Sequence, residues 1–118
     1  MYKKYMNIFK PMVITEPISF ENIDDVIKFG NKQDIAYMDD SMGIPDKIKM
    51  LTTIISSIYF SFVIDMINYD SLTKAIQITQ EYLRTIPNNS VEILNAKNEF
   101  TTTSLMIMGM AMSIPTDS

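Results

Sequence analysis

The chain has 118 residues, a net charge of −4, and no cysteine, histidine or tryptophan. This length suits one domain with one hydrophobic core, and a hydrophobic content of 47% argues against an unfolded chain. Without histidine or cysteine the chain has no imidazole or thiol for catalysis, no disulfide, and no imidazole or thiolate ligand for a metal ion. We therefore predict a single domain over residues 1–118, with no catalytic residues, no metal site, no cofactor and no enzymatic activity.

Charge is distributed unevenly along the chain. Residues 15–46 hold eight acidic and two basic side chains, a net charge of −6, whereas residues 1–14 carry +3. Surfaces that bind nucleic acid need clustered positive charge, so we do not expect a nucleic-acid partner. A protein with a basic surface patch would instead be attracted to residues 15–46.

Neither a secretory signal nor a membrane span is predicted. The uncharged stretches 50–64 and 100–116 are the strongest candidates for a span. Both contain several hydroxyl side chains and fall short of the roughly 20 apolar residues that cross a bilayer. We therefore expect a cytoplasmic protein. The excess of isoleucine over leucine and of lysine over arginine is typical of A+T-rich coding sequences, as in many bacteria and phages.

The first predicted elements are an edge strand and a short helix. Residues 6–15 are rich in β-branched and apolar side chains, and Pro11 restricts such a strand to a sheet edge. A helix is expected over residues 20–29, with Ser19 as its N-cap residue and Gly30 in the left-handed position after its end.

The longest predicted helix covers residues 45–68. Apolar side chains recur at steps of three and four residues along it, at Ile48, Leu51, Ile55, Ile58 and Phe62. The opposite side carries no charge between residues 50 and 64, which is typical of a helix that is covered on most sides. We expect this helix to be central and buried, and to form a helical hairpin with an amphipathic helix over residues 72–86.

The C-terminal part is predicted to form two strands, 90–96 and 100–114. Three consecutive threonines from Thr101 favour a strand, and alternate residues then place Met106, Met108 and Met110 on one side. The alternative is a helix over residues 104–114, because methionine, leucine and alanine form helices well.

The resulting fold class is α+β, with a small antiparallel sheet of about three strands packed against three helices. The alternative is an all-α bundle. Two surfaces are candidate binding sites. The partner-binding residues predicted from charge and apolar anchors are Asp24, Asp25, Tyr37, Asp39, Asp40 and Met42. The self-association residues predicted from uncharged exposed surface are Tyr59, Val63, Met106, Met108 and Met110.

Three functions are compatible with these features. The first is a small acidic module that binds and neutralises another protein, and its general profile is similar to that of immunity proteins and phage-encoded inhibitors. The second is a structural or assembly subunit, a homodimer or higher homo-oligomer, that packs through its uncharged helix and methionine-rich C-terminal segment. The third is a small-molecule-binding sensor with Thr52, Ser56 and Tyr59 as polar contacts.

Overall fold

The computed structural model describes residues 18–33 and 41–113, which form four α-helices and, within these ranges, no strand. The helices are α1 (Ile23–Lys32), α2 (Ile44–Val63), α3 (Tyr69–Arg84) and α4 (Val91–Ser113). The predicted α+β fold with its antiparallel sheet is therefore wrong, and the described chain is all-α. The predicted edge strand 6–15 lies outside the described residues.

A single helix, α4, replaces the two strands predicted over 90–96 and 100–114. The side chain of Ser90 accepts a hydrogen bond of 3.2 Å from the Ile93 N–H, as an N-cap serine does. Buried side chains then follow at steps of three and four residues, the spacing of one helix face. They are Ile93, Ala96, Phe100, Ser104, Ile107 and Ala111. The threonines that favoured a strand lie on this helix, and Thr101 donates its hydroxyl to the Lys97 carbonyl.

Helix α1 begins three residues later than predicted, because Asn22 and not Ser19 caps it. The Asn22 side chain accepts a hydrogen bond of 3.1 Å from the Asp25 N–H. In return, Asp25 Oδ2 accepts one of 2.9 Å from the Glu21 N–H. The first bond satisfies a backbone donor of the first turn, which has no partner within the helix, and the second ties the residue before the cap to α1. Asp25 is therefore part of the structure that starts α1.

Gly30 lies inside α1 and not in a left-handed position after it, since no described glycine has a positive φ angle. It is buried where α1 meets α2. A Cβ atom added at Gly30 would lie only 2.5 Å from Cγ1 of Ile54. Glycine therefore sets how closely the two helices can approach.

Helix α2 is the central element, because it packs against each of the other three helices and most extensively against α4. Its buried side chains belong to the single core that all four helices share. They are Ile48, Leu51, Ile54, Ile55, Ile58 and Phe62. The predicted burial of α2 is incomplete on one face, on which Thr53 and Val63 are exposed and Phe60 has 68% of its surface exposed.

The end of α2 is set by Asp65, whose φ angle of 66° lies in the left-handed region. The N–H of Met66 bonds the Ser61 carbonyl at 2.8 Å, and the N–H of Asp65 bonds the Phe62 carbonyl at 3.0 Å. This pair of bonds is a Schellman motif, in which glycine usually occupies the left-handed position. The helix therefore stops several residues before the predicted end at residue 68.

Replacing Asp65 with glycine is expected to raise the free energy of unfolding by about 0.5–1 kcal/mol, because glycine adopts the left-handed conformation without the Cβ clash. Asp65→Ala is the matched control, since it removes the same carboxylate from the helix end but keeps the Cβ atom. Chemical unfolding in urea measures both variants. A glycine variant no more stable than the alanine variant would contradict the left-handed assignment.

Asn68 is the N-cap residue of helix α3, and its side chain accepts a hydrogen bond of 2.8 Å from the Ser71 N–H. The hydroxyl of Ser71 then donates to the Ile18 carbonyl at 2.8 Å. This bond joins residues far apart in sequence and fixes the segment before α1 against α3. Together with the shared core, it holds the described part of the chain as one packed unit.

Candidate interaction surfaces

The second half of α4 presents an apolar surface on the side opposite its buried face. We define the α4 outer face as Leu105, Met106, Gly109, Met110 and Met112, all of which are exposed. Leu105 and Met112 have 67% and 73% of their surfaces exposed. No charged residue occurs between residues 100 and 113. An exposed face that is both apolar and uncharged is typical of a surface that binds another molecule.

The predicted self-association residues on α4 fall on two sides of the helix. Met106 and Met110 belong to the outer face, whereas Met108 is half-buried and packs against the core. Strand geometry would have placed the three together, but successive residues of a helix are rotated by about 100°. Leu105, Gly109 and Met112 were missed, because assigning them to this face depends on the helical geometry of α4.

A second exposed apolar cluster lies where α2 ends. We define the α2–α3 corner as Phe60, Val63, Ile64 and Met66, each of which is exposed. Tyr59, which was predicted with Val63, is half-buried and lies 6.4 Å from the Phe62 ring between centroids. Asp65 is also exposed at this corner and gives it a negative charge.

The acidic residues predicted to bind a partner have different surroundings. Asp24 is exposed on α1 and forms no ion pair with any described residue, whereas Asp25 is half-buried and holds the start of α1. Met42 is half-buried just before α2. Tyr37, Asp39 and Asp40 lie outside the described residues. Of the predicted acidic residues that the structure describes, Asp24 therefore has a carboxylate free to bind a partner, whereas the Asp25 carboxylate is used to hold the start of α1.

Two of the three polar contacts predicted for a small molecule, Thr52 and Ser56, bond the backbone of their own helix. The hydroxyl of Thr52 donates to the Ile48 carbonyl at 3.2 Å, and that of Ser56 donates to the Thr52 carbonyl at 3.1 Å. A depression does occur between α3 and α4, beside Arg84 and Lys97. The Lys97 ammonium is already used there, since it donates to the Ile86 carbonyl and to Asn88 Oδ1.

The described ranges contain neither a membrane-spanning helix nor a cluster of metal ligands. None of the four helices combines the length and the hydropathy that crossing a bilayer requires. No three acidic side chains of residues 18–33 and 41–113 come close enough to hold a metal ion together. Compared with known proteins, the chain matches no protein-family model, no curated protein and no solved structure.

Proposed function

We propose that the protein acts by binding protein molecules, as an assembly or interaction subunit, and that the α4 outer face is its contact surface. The observation that carries this proposal is an exposed apolar surface on a helix half that holds no charge. Burying such a surface removes apolar area from water and leaves no charged group without its solvent. Methionine side chains, which are flexible and polarisable, adapt well to a partner's shape.

The free energy that burial of the α4 outer face can contribute predicts a reversible contact. Complete burial of a leucine or methionine side chain contributes about 1.5–3 kcal/mol, so the four large side chains of the face contribute at most about 6–12 kcal/mol. The loss of translational and rotational freedom on association costs about 4–15 kcal/mol. The two ranges overlap, which favours a weak complex unless further surface takes part.

Affinity purification from cells that make the protein tests this proposal. The bait is the tagged chain, expressed beside an untagged copy, and mass spectrometry identifies what it retains. The face variant is Leu105→Glu with Met112→Glu, which adds two charges at exposed positions. The control is Asn95→Glu with Asn98→Glu, which adds the same charges at exposed positions in the first half of α4. We expect the wild-type and control baits to retain at least one protein that the face variant loses. The untagged copy of the chain counts as such a protein. Equal retention by all three baits would contradict the proposal.

A second candidate function rests on Asp24, the exposed carboxylate of α1 that has no ion-pair partner among the described residues. In this second function the protein binds and neutralises another protein that has a basic surface patch, as an immunity protein does. The test adds a bait with Asp24→Lys, Asp39→Lys and Asp40→Lys, and leaves Asp25 intact because its carboxylate bonds the Glu21 N–H and fixes the start of α1. Loss of a partner from this bait alone would favour the acidic surface, and its retention would argue against it. The cytoplasmic location stays a prediction.

A further inference from the structure

We infer that a second copy of this chain covers the α4 outer face, and that the two α4 helices cross at Gly109. This inference rests on the proposed function and names the partner for the same surface. Three independent features of the described residues support it: an unexplained glycine, the shape of its surroundings, and the distribution of charge.

No described residue explains a glycine at position 109. Gly109 lies inside a long helix, where glycine is less favourable than alanine. Its φ angle is not positive, and a Cβ atom added there would meet nothing within 4 Å. Gly30 differs, because its place beside Ile54 leaves no room for a side chain. The close approach of another molecule would explain why glycine, and not a residue with a side chain, occupies this position.

The surroundings of Gly109 suit a pair of helices. Leu105 and Met106 lie one turn before it and Met112 lies one turn after it, so a notch without a side chain sits between large apolar side chains. In a two-fold dimer the residue at the crossing point meets its own copy, and the larger residues pack beside it. Packing of ridges into grooves needs such low positions for close contact between helices.

Charge favours this face over the others for contact between identical chains. In a two-fold contact a surface meets its own copy, so a surface that carries net charge brings like charges together. A contact through α1 would pair Asp24 with acidic neighbours, and one through the α2–α3 corner would include Asp65. The second half of α4 has no charge to repel its copy. It also has no lysine or arginine to attract an anionic membrane.

The size of the face predicts a dimer that dissociates on dilution. Residues 100–113 span about 20 Å of a helix about 10 Å wide, so the face measures on the order of 200 Å². Stable interfaces bury about 800 Å² on each partner. Concentration dependence is therefore part of the inference.

Sedimentation velocity over a wide range of protein concentration tests it, with wild type, Gly109→Glu and the control Asn95→Glu. Both variants place one carboxylate at an exposed position of α4, and thermal melts followed by circular dichroism establish that both are folded. We expect wild type and control to form dimers as concentration rises, and Gly109→Glu to raise the dissociation constant at least about tenfold, since two carboxylates would meet at the crossing. A wild type that stays monomeric, or a Gly109→Glu variant that dimerises like wild type, would overturn the inference.

The two proposals can fail separately. If wild type stays monomeric but the Leu105→Glu, Met112→Glu bait still loses a different protein, the dimer is wrong and the proposed function stands. If that bait loses nothing, the contact surface itself is wrong. Wild-type binding to phosphatidylcholine vesicles, abolished by the same two substitutions and without dimer formation, would assign the face to a membrane and overturn both.

Discussion

Phe100→Ala is expected to lower the free energy of unfolding by about 3–5 kcal/mol. Phe100 has 1% of its surface exposed and is the largest fully buried side chain of the described residues. It lies on the face of α4 that packs into the shared core. Removing the ring takes apolar contacts away and leaves a cavity that rigid neighbours fill only in part. A small domain is stable by about 5–15 kcal/mol, so this loss is a large share of the total.

Urea unfolding of Phe100→Ala is best compared with that of Leu105→Ala on the same helix. Leu105 is mostly exposed, and leucine and alanine both form helices well, so we expect a change within about 0.5 kcal/mol. A strand buried on both faces would make the two substitutions similarly costly. Equal losses at the two positions would therefore contradict the helical assignment of α4.

Gly30→Ala is expected to lower the free energy of unfolding by about 1–3 kcal/mol. The added Cβ atom would lie 2.5 Å from Cγ1 and 2.6 Å from Cδ1 of Ile54. The branched isoleucine side chain is stiff and has few other rotamers, so α1 and α2 must move apart or Ile54 must adopt a strained conformation. This cost exceeds the gain that alanine normally brings to a helix.

Glycine-to-alanine substitution at position 109 serves as the control, because it is expected to raise the free energy of unfolding and not to lower it. Gly109→Ala meets no neighbouring atom, so it is expected to stabilise the monomer by about 0.5–1 kcal/mol, measured at a concentration where wild type is monomeric. In the Ile54→Ala background, Gly30→Ala is expected to lose most of its cost, because the atoms it would strike are gone. Stabilisation by Gly30→Ala in the wild-type background would contradict the close packing of α1 on α2.

Sequence periodicity located the helices whose two sides differ in polarity. The predicted helix 72–86 overlaps most of Tyr69–Arg84, because charged residues such as Lys74 and Glu81 lie opposite a continuous apolar stripe. The predicted helix 45–68 likewise overlaps Ile44–Val63. Its end was misplaced because the sequence offers no glycine there, and Asp65 takes the left-handed position instead.

Helix α4 was predicted only as an alternative, over residues 104–114, because its two sides have similar hydrophobicity. Its buried face includes the small side chains of Ala96, Ser104 and Ala111, while Leu105 and Met112 lie on the exposed side. A helical period is read from the contrast between faces, and here that contrast is weak. Local β-propensity of the threonines then determined the prediction, and packing against α2 overrides it.

The candidate site could be predicted only in part for the same reason. An uncharged C-terminal segment is visible in the sequence, and it led to Met106 and Met110. Assigning the remaining residues to the outer face depends on the helical geometry of α4. The surroundings of Asp25 and Gly109 are visible only in the folded chain: Asp25 bonds the Glu21 N–H, and no described side chain approaches Gly109.

The most direct test of the α4 outer face as the contact surface is NMR of the protein labelled with ¹³C at its methionine methyl groups. We predict that the signals of Met106, Met110 and Met112 shift as the protein is concentrated. The signal of Met50, which packs against the core, is expected to stay in place. Unchanged signals for the three α4 residues, or a shift confined to Met66 at the α2–α3 corner, would show that copies of the chain do not meet through this face.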